Sequence, residues 1–281
     1  MTLTVIGDLI ADVVVLGATT LEIGTDNPAV ITHVRGGSAA NVAAAAARST
    51  SVRFIGRIGT DAEGEALAHE LAEAGVEVRV QRAGRTGSIV ILVDDAAERT
   101  MLTDRGAAAE LGEIDPAWLE GTSWLHVPLY GFAEPGSAAA LRAAATRVRA
   151  SGAPVSLDLS SVASMRAHGR DELRGILSAL SPTVVFANAD EARLLDELDV
   201  HVAGDVVLVV KRGGDPVLVR SDGAVTEVPV ERVSDALDST GAGDAFAAGY
   251  LSAALEGGTP AESAKAGAAL AKEALRRPGA I

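Results

Sequence analysis

The chain has 281 residues, is 48% hydrophobic but only 3% aromatic, carries a formal net charge of −14 and contains no cysteine. Its length and apolar content point to one large folded domain. The acidity repels nucleic-acid backbones and anionic lipid, and the scarcity of aromatic faces leaves no base-stacking platform. Without cysteine there is no disulfide, thiolate nucleophile or cysteine-held metal, and a reducing cytoplasm is the expected compartment.

No apolar run reaches the roughly 18–20 residues of a membrane span. The N-terminus, Met1-Thr2-Leu3-Thr4-Val5-Ile6-Gly7-Asp8, has no basic leader and reads as a first strand, not a signal peptide. Residues 5–10 and 13–16 are short β-branched runs; 40–48 is alanine-rich and helical by propensity. A strand over 52–58 precedes a helix over 63–74, which Gly75 closes. Apolar strands follow at 123–127, 155–159, 184–187 and 206–210, interleaved with helical spacing at 137–150, 171–180 and 190–198. Two helices, 243–255 and 260–275, end the pattern. The alternation predicts an α/β three-layer sandwich around a mostly parallel sheet. Two segments, about 17–35 and 85–104, break the rhythm and predict a small antiparallel lid sheet, or else edge strands of the main one.

Asp238-Ser239-Thr240-Gly241-Ala242-Gly243-Asp244 sits directly before a helical run. Its glycines would present bare N–H groups at a helix N-terminus, where the dipole favours an anion such as phosphate. Asp244 then falls in the first turn. Beside a phosphate it would act as general base for an attacking hydroxyl, or it would only cap the helix. A dinucleotide-binding turn is disfavoured, because Phe246 occupies the position where that motif needs a small residue. Gly36-Gly37-Ser38-Ala39-Ala40-Asn41 is a second glycine pair before a helix. Asn41 there would offer a donor and an acceptor to a polyhydroxyl ligand, or would simply be exposed at a loop–helix junction. Asn188 and Glu191 share a helix face, either supporting a hydrated Mg²⁺ or forming a capping box. No lysine lies in a Gly-x-x-x-x-Gly-Lys loop, and the five histidines show no ligand spacing. His126, on an apolar strand, reads as a hydrogen-bonded core residue.

These two glycine segments, their order and their separation resemble the signatures of the ribokinase-like (PfkB) carbohydrate-kinase family. Asn188-Ala189-Asp190-Glu191 and Val209-Val210-Lys211-Arg212-Gly213 fit the same pattern, and the similarity runs from Gly7-Asp8 to Pro278-Gly279-Ala280. The resemblance implies one ribokinase-like kinase domain over residues 1–281 that uses ATP and Mg²⁺ to phosphorylate a sugar-type hydroxyl. Asp244 would be the base, and the N–H groups of Gly241, Ala242 and Gly243 the anion hole. Asp12, Gly37 and Asn41 would hold the sugar. Asn188 and Glu191 would act through water on Mg²⁺ and the phosphates, and Lys211 and Gly213 would contact nucleotide. Asp238 and Thr240 lie in the loop that in many members also binds K⁺. Ile10 stands where ribokinase has a polar residue, which points away from plain ribose. A nucleoside kinase of the same fold and a non-catalytic sugar-binding regulator are the competing readings. Exposed lid strands would allow a homodimer through the lid.

Overall fold

A computed structural model of the chain describes residues 1–17, 21–94, 99–233 and 240–276. The order is β1 (Thr2–Ile6), β2 (Ile10–Leu16), β3 (Val30–Gly36), α1 (Ser38–Ala46), β4 (Ser51–Ile58), α2 (Ala62–Glu73), β5 (Glu77–Arg82), β6 (Thr86–Val93) and β7 (Arg99–Gly106). Then follow β8 (Thr122–Pro128), α3 (Pro135–Ala150), β9 (Val155–Asp158), α4 (Val162–Leu180), β10 (Val184–Asn188), α5 (Ala189–Glu197) and β11 (Val207–Arg212). The chain continues through β12 (Asp215–Ser221), β13 (Ala224–Val228), α6 (Ala242–Leu255) and α7 (Pro260–Ala274).

The main sheet has nine strands in the order β13-β12-β11-β10-β9-β8-β1-β4-β5. Every pair from β11 to β5 is parallel, and the β12–β13 hairpin closes one edge antiparallel. Strands 10 and 11 show why the sequence reads as unbroken apolar runs. Val184, Phe186, Val207 and Val209 join the core under α1, α2, α6 and α7. Their neighbours Val185, Ala187, Leu208 and Val210 join the core under α3, α4 and α5. Both faces are covered, so both sets of alternating side chains must be apolar.

Alanine and glycine let the helices approach closely enough to aim α6. Six of the nine residues of α1 are alanines, and all six are buried. A Cβ on Gly267 would stand 2.6 Å from the Phe246 carbonyl, so α7 touches the α6 backbone there. This contact fixes the α6 axis and, with it, the position of Asp244 in its first turn.

The second sheet, β3-β2-β6-β7, is the lid. It differs from expectation in two ways. Its first strand is β2, so it begins at Ile10, earlier than residue 17; the strand expected over 5–10 breaks at Gly7–Leu9. The lid is also mixed, with β2 and β6 parallel and the flanking pairs antiparallel. The reason is geometric. Strands 2 and 6 follow directly from β1 and β5, which run the same way in the main sheet, so they leave it in the same direction.

Candidate active site

The cleft lies at the C-terminal ends of the parallel strands, the usual place for ligands in an open α/β sheet. A cavity of about 1000 Å³ there is lined by Asn188, Glu191, Lys211, Gly213, Thr240, Gly241, Ala242, Gly243 and Asp244, all singled out in the sequence. Asp12, Gly37 and Asn41 are not part of this lining: Asn41 bonds to Asp244, Asp12 feels the Asp244 charge, and Gly37 directly precedes Ser38, which does line it. Asp238 lies outside the described residues. A smaller cavity of about 270 Å³, between α5 and the β12–β13 turn, contains none of these residues.

Asp244 is held by the second glycine segment. Ser38 Oγ donates to its Oδ1 at 2.7 Å and Asn41 Nδ2 to its Oδ2 at 3.1 Å. Arg35 Nη1 in turn donates to Asn41 Oδ1 at 3.0 Å. An arginine can only donate and a carboxylate only accept, so the Asn41 amide has a single orientation that serves both. Asn41 is therefore buried and already bonded at both ends of its amide, whereas the sequence reading left it facing a ligand or solvent. Burial raises the Asp244 carboxyl to about 6 against the two hydrogen bonds that lower it. A group poised there is a carboxylate at neutral pH yet basic enough to take a proton in a transition state.

Asp12 sits opposite. It is 6% exposed, and its Oδ1 has no hydrogen-bond partner among the described residues. Burial lifts its carboxyl to about 6, with Arg35 lowering it and Asp244 raising it. The bare Cα of Gly36 makes this possible, since a Cβ there would stand 2.0 Å from Asp12 Oδ1. Gly37, the α1 N-cap, has φ 99°, and a Cβ there would meet the Asp8 carbonyl at 2.3 Å. The glycine pair thus lets β3 turn into α1 pressed against the β1–β2 junction.

At the other end, α6 begins after Gly241, whose φ of 73° serves as a left-handed N-cap. The N–H groups of the first turn have no helical partners and face the cleft. Lys211 reaches under this turn. Its Nζ would lie 3.4 Å from a Cβ on Gly243 and donates to Asp158 Oδ2 at 2.8 Å. Burial works against the ammonium, but Asp158 outweighs it and raises the Lys211 pKa. Asp158 is anchored in turn by the Ser160 N–H on its Oδ1.

The Asn188–Glu191 capping box is present in full. Asn188 Oδ1 accepts from the Glu191 N–H at 2.9 Å, and Glu191 Oε2 accepts from the Asn188 N–H at 2.8 Å. Both Glu191 oxygens are engaged, the second by Asn188 Nδ2. Burial, then the Asp158 charge, pushes the Glu191 carboxyl up. No group of three His, Cys, Asp or Glu is arranged to hold a metal among the described residues. These donors fit a divalent ion that keeps its waters and is reached through them, and do not fit a dedicated protein cage. His126 is fully buried against Ser156 Oγ at 2.9 Å, and burial lowers it to about 4, as a core histidine should be.

Sequence reasoning did not assign roles to Ser38, Arg35, Asp8, Arg105 or Asp158. Arg105, at the end of β7, donates from Nε and Nη2 to both Asp8 oxygens at 2.8 and 2.6 Å. Only Ser38 had a local signal, a hydroxyl in the turn after two glycines. The others work as pairs that only the fold brings together.

A family model described as "pfkB family carbohydrate kinase" matches residues 2–281. The ATP-dependent ribose-1-phosphate kinase of Halopiger xanaduensis is 35% identical over 79% of this chain and 74% of its own. A fructokinase of Klebsiella pneumoniae is 31% identical over 88% of this chain and 85% of its own. The crystal structure of adenosine kinase from Sinorhizobium meliloti superposes with a TM-score of 0.87 at 25% identity, covering 99% of this chain and 94% of that one. No helix among the described residues is long and apolar enough to cross a membrane.

Proposed function

The chain belongs to the pfkB family of carbohydrate kinases, which are phosphotransferases, and on that premise we propose that it moves the γ-phosphoryl group of ATP to a hydroxyl of a small sugar or sugar derivative. The observation that carries this reading is Asp244. It stands in the first turn of α6, held by Ser38 and Asn41 and lifted to about 6, beside N–H groups suited to a phosphoryl group.

Asp12 Oδ1 accepts a substrate hydroxyl, with Gly37 and Asn41 shaping and bracing that end. Asp244 takes the proton of the attacking hydroxyl as its oxygen bonds to phosphorus and the bond to the ADP oxygen breaks. The N–H groups of Gly241, Ala242 and Gly243, with Lys211 beneath them, stabilise the negative charge on the transferring group. Lys211 and Gly213 contact nucleotide, and Asn188 and Glu191 act through water. Mg²⁺, when bound, neutralises phosphate charge. The K⁺ reading keeps Thr240, which lines the cleft, and Asp238.

The names of the relatives span a phosphorylated sugar, a free sugar and a nucleoside. A nucleoside acceptor is therefore the second reading. Tyr130, which lines the cleft as Phe246 also does, is an aromatic face that favours it. A homodimer through the lid is supported by Val30 and Ile31, which are 62% and 57% exposed on β3. Light scattering of the protein and its Ile31→Asp variant tests that association.

ADP release from ATP and Mg²⁺ across uncharged sugars and nucleosides, with Asp244→Asn as control, tests the activity. Turnover with an acceptor that is lost in the variant supports it. Full activity in the variant removes Asp244 as base.

A further inference from the structure

We infer that the acceptor is an uncharged polyhydroxyl compound, and that phosphate- or carboxylate-bearing sugars are rejected at the lid end of the cleft. The inference rests on the kinase reading and narrows its substrate class.

An enzyme that recognises an anionic acceptor needs a cation free to meet it. Among the described residues, two largely buried guanidinium groups, Arg35 and Arg105, stand near Asp12 and Asp8 at the lid end, and both are already matched. Arg105 gives a two-pronged pair to Asp8, and the two side chains are only 15% and 9% exposed. Arg35 donates to Asn41, lies 3.5 Å from Glu70, and also feels the charges of Asp12 and Asp244. Four carboxylates thus face two guanidinium groups. Glu134 adds further negative charge near Arg105. Lys211, at the phosphate end, is committed to Asp158.

Asp12 Oδ1, at the same end, is a group of the opposite kind. Asp12 Oδ1 is buried and partnerless among the described residues. As a carboxylate oxygen it can only accept, so it calls for an O–H or N–H donor and repels a phosphate or carboxylate oxygen. An anion could reach Arg105 only by displacing Asp8, which would leave a buried carboxylate without its partner. A polyhydroxyl compound satisfies Asp12 and breaks nothing. Rejection here is as much a part of specificity as attraction.

The test uses the full chain and matched acceptors: D-fructose with fructose 6-phosphate, D-ribose with ribose 1-phosphate, D-glucose with gluconate, and adenosine with AMP. ADP release gives kcat/KM, and calorimetry in the presence of a non-hydrolysable ATP analogue gives affinity. The uncharged member of any accepted pair should lead by about 100-fold or more. An anionic member that equals or exceeds its partner overturns the inference. If no acceptor releases ADP, the kinase reading fails, and calorimetry still decides. Binding of uncharged members alone sustains the inference; tighter binding of an anion, or no binding at all, overturns it. Asp8→Asn, which frees Arg105, should narrow the discrimination by about tenfold. Unchanged discrimination in a folded Asp8→Asn protein counts against Asp8 as the group that withholds Arg105, and so overturns the proposed cause.

Discussion

The two ends of the cleft are assembled in different ways. At the lid end the site is tied together by side chains from distant parts of the chain: Ser38 and Asn41 meet Asp244 across 206 and 203 residues, and Arg105 meets Asp8 across 97. At the phosphate end the parts are local or lie on strands no more than two places apart in the sheet. They are the first turn of α6, the Asn188–Glu191 box, and a Lys211–Asp158 pair that spans β11 to β9. The phosphate end is thus a product of the βα units themselves, whereas the acceptor end exists only once lid and sheet have come together. Acceptor choice can therefore change without disturbing phosphate binding.

Substitutions can break or sharpen this contrast. The largest effect is expected at the junction of the two ends. Asp244→Asn should lower kcat by about 10²–10⁴-fold while ATP binding, followed by calorimetry, stays near that of the parent. Next comes the phosphate end. Asp158→Asn strands a largely buried ammonium, because the pair's side chains are only 17% and 8% exposed. It should cost about 3–5 kcal/mol of unfolding free energy in a denaturant titration, as well as raising the KM for ATP.

A pH series reads the base directly. Asp244 acts as a carboxylate, and its carboxyl, like that of Asp12, is raised to about 6, so kcat/KM should fall at least about tenfold per pH unit below that value and level off above it. A plateau extending down to pH 4.5 would remove this residue as the titrating group.

The smallest effect is a gain. Asp12 has its folded-state carboxyl at about 6 against an ordinary 3.8. A raised carboxyl means the folded state binds the proton more tightly than the unfolded one. Stability is therefore full below about 3.8 and is lost as pH rises through about 6. Asp12→Asn should recover about 1–3 kcal/mol at pH 7.5, seen as a higher Tm, and should show little gain at pH 4, while impairing turnover. A lower Tm at pH 7.5 would show that Asp12 is better satisfied than its bare Oδ1 suggests.

The legibility of the molecule follows the same division. Strands 10 and 11 could be read because each is covered on both faces and so is apolar over 184–187 and 207–210. The α6 and α1 segments could be read because glycines before a helix have a local meaning. The Asp8–Arg105 and Asp158–Lys211 pairs could not, since nothing near Arg105 or Asp158 in the chain announces a partner 97 or 53 residues away. The β12–β13 hairpin is a different kind of miss. Asp222 and Gly223 have φ of 51° and 75° and join paired Ser221 and Ala224, a two-residue turn whose Asp-Gly signal was present in the sequence. Pro216, inside β12, hid it, because proline argues against a strand except at bulges and edges. Strand 2 falls outside the expected lid segments because its run at 13–16 is as apolar and β-branched as the strands of the main sheet.

The lid joins the body at four places, and all four are short. Three residues separate β1 from β2, one separates β3 from α1, three separate β5 from β6, and β7 runs straight into a short turn at Ala107. Four such tethers deny the lid any sliding freedom and leave it a swing. Any movement of a flap so constrained would be that of a shutter on one axle, with its free margin crossing the mouth of the cleft and Asp12 and Arg105, within two residues of the ends of β2 and β7, close to the axle. The groups that inspect the acceptor would then keep the same spacing with the shutter open or closed, so selection precedes closure.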